Sequence, residues 1–254
     1  MMSAISKQVL SQKHLIMNIA IIGYGRMGHE IEAIALERGH AVKLVVDQDN
    51  TDDLNGANLK MIDVAIEFSS PDAAFNNIVA CLEKGVPVVS GTTGWLDKYS
   101  RVVDICKKNN TSFIHSSNFS IGVNILFRLN KELAKLMDRF HAYRVNIEEI
   151  HHIKKLDAPS GTAISLANGI AENHSGYEEW NSENIIADKS IPISSVREGI
   201  VPGTHNVRWD SDIDTIHLKH EARNRKGFAL GAVVAAEFIS SREGVFTIND
   251  VMGF

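Results

Sequence analysis

Two histidines, two lysines and an aspartate fall within seven positions, at His151, His152, Lys154, Lys155 and Asp157, and a Pro-Ser-Gly turn follows. Histidine can release a proton near neutrality, since its unperturbed pKa is roughly 6.5. Lysine adds a second proton or a fixed positive charge. Ser160 is a natural helix N-cap, because Ala163, Ile164, Leu166, Ala167 and Ile170 mark a helix that begins at the turn. The first turn of such a helix leaves the N–H groups of Gly161 and Thr162 able to meet a carboxylate. Cations, a proton donor and an anion-binding helix end suggest an acidic substrate that must be protonated. His151 and His152 close a strand-like segment whose successive side chains face opposite ways, so they cannot share a metal ion and no metal site is expected. Lys154 reads as surface charge.

A second group is built on glycine. Gly23, Gly25 and Gly28 enclose Tyr24, Arg26 and Met27 in a G-x-G-x-x-G pattern between an apolar run, residues 19–22, and the helical spacing of Ile31, Ile34 and Ala35. Asp47 ends the next apolar run, 19 positions after Gly28. Such glycines permit a tight turn and close backbone approach, the helix N-terminus attracts a pyrophosphate, and the acid can accept from a ribose 2′-hydroxyl. A plain glycine turn would require neither the flanking elements nor the acid. Asp47 repels a 2′-phosphate that Arg26 could attract, and Gln48 adds no charge, so NADH is expected to serve at least as well as NADPH. Gly91, Thr92 and Thr93 follow a fourth strand, and Ser116, Ser117, Asn118 and Phe119 follow a fifth. Both stretches lie where open parallel sheets bind ligands.

These groups need a scaffold, and the chain alternates strand and helix up to residue 117. Strands are expected at 42–46, 63–68, 86–91 and 112–117, with helices between them, which implies a parallel, doubly wound α/β sheet of Rossmann type. Beyond Asn118 a long amphipathic helix precedes segments that alternate like antiparallel strands, an α+β pattern. The expected division is a dinucleotide-binding domain over 17–120 and 230–254, and a substrate-binding and oligomerisation domain over 121–229. Residues 173–200 are loop-rich and carry no assignment. The apolar stretch "GFALGAVVAAEFIS" predicts a buried helix that packs back on the first domain. Residues 1–16 read as a floppy leader, with order from Met17.

Composition narrows the partners. A net charge of −5 provides no global basic field for nucleic acid or anionic lipid. No run approaches the ~18 apolar residues of a membrane span. Cys81 and Cys106 lack metal-ligand spacing and read as buried free thiols, as suits a reducing cytoplasm.

The sequence resembles the 4-hydroxy-tetrahydrodipicolinate (dihydrodipicolinate) reductase family from Met17 to Phe254. The resemblance rests on "GYGRMG", "GTTG", "NFSIGVN", "EIHHIKKLDAPSGTA" and "REGIVPGTH" in the family's order and spacing. It implies an NADH- or NADPH-dependent cytoplasmic oxidoreductase of lysine and diaminopimelate biosynthesis that reduces a cyclic imine dicarboxylate to tetrahydrodipicolinate, and a homotetramer. By position it implies His151 as the acid and Lys155 as a second proton donor. His152, Gly161 and Thr162 match substrate positions; Gly23 to Gly28, Asp47, Gly91 to Thr93 and Ser116 to Phe119 match cofactor positions. Gln48 stands where the family often has arginine, which counts against NADPH, and Ser117 stands where it often has alanine or proline. Two rival readings use the same cofactor domain: an aspartate-type amino-acid dehydrogenase and a non-catalytic dinucleotide sensor.

Overall fold

The run Asn-Ile-Ala-Ile-Ile forms strand β1 (Asn18–Ile22), and its last four residues are buried, as expected of a strand covered on both faces. The computed structural model describes residues 16–182 and 188–254, so the expected leader lies outside it except for Ile16. Helix α1 (Arg26–Glu37) turns Ile31, Ile34 and Ala35 onto its buried face. Gly39 ends it with φ +89°, and the His40 N–H returns to the Ala35 carbonyl at 2.9 Å, a helix stop that favours glycine. Strand β2 (Ala41–Val46) and a short helix α2 (Gly56–Leu59) precede β3 (Val64–Glu67). Helix α3 (Pro71–Leu82) carries proline in its first turn, and β4 (Val88–Ser90), α4 (Tyr99–Lys108) and β5 (Ser112–His115) complete the repeated alternation.

The second part begins with α5 (Ile121–Met137), whose N-cap Ser120 accepts from the Val123 N–H at 3.4 Å. Strand β6 (Arg144–His151) alternates exposed and buried residues along its length. Helix α6 (Gly161–Ala171) starts at the Pro-Ser-Gly turn, as its apolar spacing predicted. Strands β7 (Glu179–Asn181) and β8 (Ser190–Arg197) follow, then β9 (Thr204–Asp210) and β10 (Thr215–Glu221). The sheet runs β10-β9-β6-β8-β7. Its β10, β9 and β6 pair antiparallel, as expected, but β6, β8 and β7 pair parallel, so the sheet is mixed. Strand β8 lies in the stretch that sequence left unassigned, of which residues 183–187 are outside the described structure. Ile147, Leu166, Ile170, Ile193, Val207 and Trp209 form the core of this part.

Helix α7 (Lys226–Ile239) is the predicted apolar helix; Ala232, Val233, Ala235, Ala236 and Ile239 are fully buried. Strand β11 (Gly244–Phe246), absent from the sequence reading, pairs parallel with β5, and a short α8 (Ile248–Met252) follows. The first sheet is therefore six-stranded and wholly parallel, in the order β11-β5-β4-β3-β1-β2. Chain contacts define one compact unit ending at Ser117 and resuming over Ala232–Val251, and a second spanning Asn118–Gly231 with Met252–Phe254. Cys81 and Cys106 are buried free thiols, and burial pushes them up to about 12 and about 11.

Candidate active site

In the first unit the chain reverses direction across the sheet between β1 and β3, which is where open α/β sheets leave a crevice. A cavity of about 260 Å³ lies there, lined by Gly23, Gly25, Asp47, Gln48, Phe68 and Ser69 among others. Gly23 has φ +90°, and a Cβ on it would stand 2.2 Å from the Phe68 carbonyl oxygen. A Cβ on Gly28 would meet the Gly23 carbonyl oxygen at 2.4 Å, so helix and turn close on each other only through glycine. Gly25, the N-cap of α1, is exposed, and its absent Cβ faces open space. Backbone can therefore approach a pyrophosphate at the helix end, and the cradle fits a dinucleotide. The turn after β2 is held by Asn50, whose Oδ1 accepts from the Asp47 N–H at 2.7 Å and whose Nδ2 donates to the Val45 carbonyl at 2.9 Å. The exposed Asp47 side chain is set at the cavity wall by that turn.

A buried carboxylate organises the neighbouring loops. Glu67 Oε1 accepts from the Ser69 N–H at 3.0 Å and the Thr92 hydroxyl at 2.8 Å, and Oε2 accepts from the Ser90 hydroxyl at 2.7 Å. This joins the end of β3 to the Gly91–Thr93 turn after β4. His115 Nε2 lies 3.1 Å from the Thr92 carbonyl, and burial lowers its pKa.

The second unit contains the histidine block. On β6, Val145, Ile147, Glu149 and His151 share the buried face, whereas His152 lies half-buried just past the strand. Glu149 is fully buried, and its Oε1 accepts from the Ser160 N–H at 3.0 Å, the Ser195 hydroxyl at 2.8 Å and an Arg197 guanidinium N–H at 3.0 Å. Its Oε2 lies 3.3 Å from His151 Nδ1 and 3.9 Å from His205 Nε2. Burial alone would raise the Glu149 carboxyl; the donors from His151, Ser160, Ser195 and Arg197 outweigh it and hold the group well below the usual carboxylate range. Burial, then the neighbouring His151, pushes His205 down to about 4 against the pull of Glu149. Ser160 caps α6 by accepting from the Ala163 N–H at 3.2 Å, and the exposed Gly161 begins the helix. The Asn118 amide donates to the Thr162 hydroxyl at 3.4 Å. Lys155 Nζ donates to both carboxylate oxygens of Asp157, at 2.8 and 2.9 Å.

The residues singled out from sequence thus fall into two local groups. Tyr24, Arg26 and Met27 lie in the glycine turn and first turn of α1, with Asp47 at the same cavity. Gly91, Thr92 and Thr93 follow β4, and Ser116 and Ser117 follow β5. His151, His152, Lys155, Ser160, Gly161 and Thr162 lie along the β6–α6 connection, with Asn118 beside Thr162. Sequence reasoning missed Glu67, Glu149, Ser195, Arg197 and His205. Glu149 had a readable signal in its phase on the strand, and Arg197 and His205 in their place at the two ends of the "REGIVPGTH" motif. Glu149, His151 and His205 also bring ligand-type atoms within 4.8 Å of one another, but the Arg197 guanidinium already supplies positive charge at that carboxylate.

Comparison with known proteins shows the family of the chain. The family model described as dihydrodipicolinate reductase, N-terminus, matches residues 17–119, and the one described as dihydrodipicolinate reductase, C-terminus, matches residues 122–252. The chain belongs to the dihydrodipicolinate reductase family. A 4-hydroxy-tetrahydrodipicolinate reductase from Christiangramia forsetii is 52% identical over 93% of this chain and 98% of its own length. Another from Thermosipho africanus is 32% identical over 93% and 98%. For the fold, a dipicolinate-bound dihydrodipicolinate reductase from Paenisporosarcina sp. TG-14 superposes with a TM-score of 0.77 at 24% identity, covering 92% of this chain and 98% of that one. The two matches to the dihydrodipicolinate reductase family meet near residue 120, and the C-terminal one also takes in the stretch Ala232–Val251 that returns to the first unit.

Proposed function

We infer that the chain catalyses the 4-hydroxy-tetrahydrodipicolinate reductase reaction of lysine and diaminopimelate biosynthesis, with NADH or NADPH as reductant. Family membership across both halves carries the activity. For the site, the observation that weighs most is a buried His151 set against an ionised Glu149 beside the capped start of α6. A bound reduced nicotinamide supplies a hydride to a conjugated carbon of the cyclic imine, and the electron density displaced onto the neighbouring carbon must take up one proton.

His151 donates that proton, and Lys155 is the second donor. The Gly161 and Thr162 N–H groups, next to the Ala163 N–H that Ser160 caps, hold one carboxylate of the ring, and His152 faces the other. The relative from Paenisporosarcina carries dipicolinate, a planar ring diacid of the same class. Asp157 holds Lys155 by both oxygens, so a substrate carboxylate competes with it for the ammonium. Positioning and charge stabilisation account for most of the acceleration.

NADH is the better reductant in this reading. Residues 47–53 contain four aspartates and no lysine or arginine, which repels a 2′-phosphate where a ribose hydroxyl would bond Asp47. A cytoplasmic location suits the buried thiols and a nicotinamide reductant. Four copies assemble through the second unit, which leaves Leu129, Leu136 and Phe140 exposed in the single chain. The test is a spectrophotometric assay with freshly generated cyclic imine and each nucleotide in turn. Oxidation of NADH with kcat/KM above that for NADPH is expected. Tight NADH binding without turnover would overturn the reading.

A further inference from the structure

A fully buried glutamate in the middle of a strand is costly unless something uses its charge, because carboxylates are almost never buried unpaired and a well-packed apolar residue serves stability as well. Val145 and Ile147 fill the same face of β6 with apolar side chains. We infer that Glu149 is a positioning residue for the reduction: its carboxylate holds the His151 imidazole with Nδ1–H inward and, through Ser160, fixes the helix start that receives the substrate carboxylate. The inference rests on the assignment of His151 as proton donor made above.

The two oxygens have different partners. Oε1 is occupied by three donors, from Ser160, Ser195 and Arg197. Oε2 is left to the rings of His151 and His205. His151 Nδ1 and Glu149 Oε2 are both buried, and neither has another hydrogen-bond partner among the described residues. They lie 3.3 Å apart, so a small rotation of the ring completes the bond.

The opposite nitrogen has a different surrounding: a Cβ on Gly203 would stand 3.0 Å from His151 Nε2, so the glycine keeps that atom clear. With Nδ1–H fixed on the carboxylate, Nε2 is the nitrogen that carries the transferable proton. When that proton leaves for the substrate carbon, the N–H bond breaks at Nε2 and the ring becomes the neutral Nδ1–H tautomer. Glu149 stays a carboxylate throughout, as a buried carboxylate orienting a catalytic imidazole does elsewhere.

Charges from every packed element bear on this pair. Arg197 on β8 contacts Glu149, and Lys155 pairs with Asp157 beyond β6. His205 on β9 stands edge-on to His151 with centroids 5.1 Å apart, and His220 on β10 lies beyond it; burial keeps both rings toward the neutral form. Neither histidine therefore cancels the carboxylate at neutral pH. The same anion, through the Ser160 N–H, sets the residue whose hydroxyl caps α6, so donor and carboxylate site share one anchor.

The experiment compares Glu149→Gln, His151→Gln and the double variant in the full chain. Glu149→Gln keeps the shape and removes the charge. Because the glutamine oxygen can still accept from the Ser160 N–H, kcat is expected to fall about a hundredfold with KM nearly unchanged, and the alkaline limb of the kcat–pH profile to move to lower pH. Thermal midpoint and NADH fluorescence titration report folding and cofactor binding separately. On the His151→Gln background the Glu149 change should add almost nothing. Wild-type kcat and pH profile in Glu149→Gln, with His151→Gln slow, overturns the role of Glu149 alone; wild-type turnover in His151→Gln overturns the donor assignment itself. Should the variant not fold, ¹⁵N NMR of the histidine rings in the unaltered protein decides: a neutral His151 as the Nδ1–H tautomer supports the inference, and Nε2–H overturns it.

Discussion

Burial holds His205 neutral, with a pKa down to about 4 against an unfolded value near 6.5. Between those values the unfolded chain binds a proton that the folded chain refuses, so this contribution is complete above about pH 6.5 and is lost as pH falls toward 4. The slope is at most about 1.4 kcal/mol per pH unit. Urea denaturation from pH 7.5 to pH 5 should show that loss, and His205→Asn should flatten it; an unchanged slope would place the buried proton elsewhere. Glu149 acts at lower pH in the same direction, since its depressed carboxyl stabilises the fold above the ordinary glutamate range and stops doing so in acid. At this scale the sequence was legible where residue type alone speaks. His151 stood out by its titratable ring, whereas Glu149 showed only in its alternation with Val145 and Ile147 on β6. Arg197 and His205 bound the "REGIVPGTH" motif, but the motif gave them no role, because they come from β8 and β9 and meet the glutamate only once the sheet forms.

Helix α6 was readable in advance because its cap and its apolar spacing agree. Replacing Ser160 with alanine removes the hydroxyl acceptor and should cost about 1 kcal/mol of stability. It should also raise KM for the dicarboxylate more than it lowers kcat, as steady-state kinetics with the cyclic imine would show; a selective loss of kcat would contradict that division of roles. Strand β8 was not readable. Its sequence, Ser-Ile-Pro-Ile-Ser-Ser-Val-Arg, mixes proline and serine into a pattern that suits a loop. Pro192 is tolerated because it pairs with the end of the short β7, where few ladder bonds exist to lose. The parallel pairing of β8 with β6 brings Ser195 opposite Glu149 and Arg197 opposite His151. That register builds the floor of the site.

Over the whole molecule, a buried ion cluster ties the returning helix to the turn between α1 and β2. Glu237 on α7 accepts two bonds from Arg38, each 2.7 Å, and lies 2.8 Å from His40 Nε2. Glu237→Ala should destabilise the chain by about 3 kcal/mol, since it leaves a nearly buried guanidinium without its carboxylate; equilibrium denaturation at pH 7 measures this. Only a few residues of β11 then extend the first sheet beside β5, a pairing too short to announce itself. The sequence by itself determined the strand–helix alternation, the glycine turn between β1 and α1, and the capped helix after the histidine–lysine block, because each depends on neighbours within about one turn or one strand. The tertiary structure alone decided which side chains surround the buried glutamate and which strand closes the parallel sheet. Those contacts join residues tens to more than a hundred positions apart, and their free energy depends on register and burial, which no local pattern encodes.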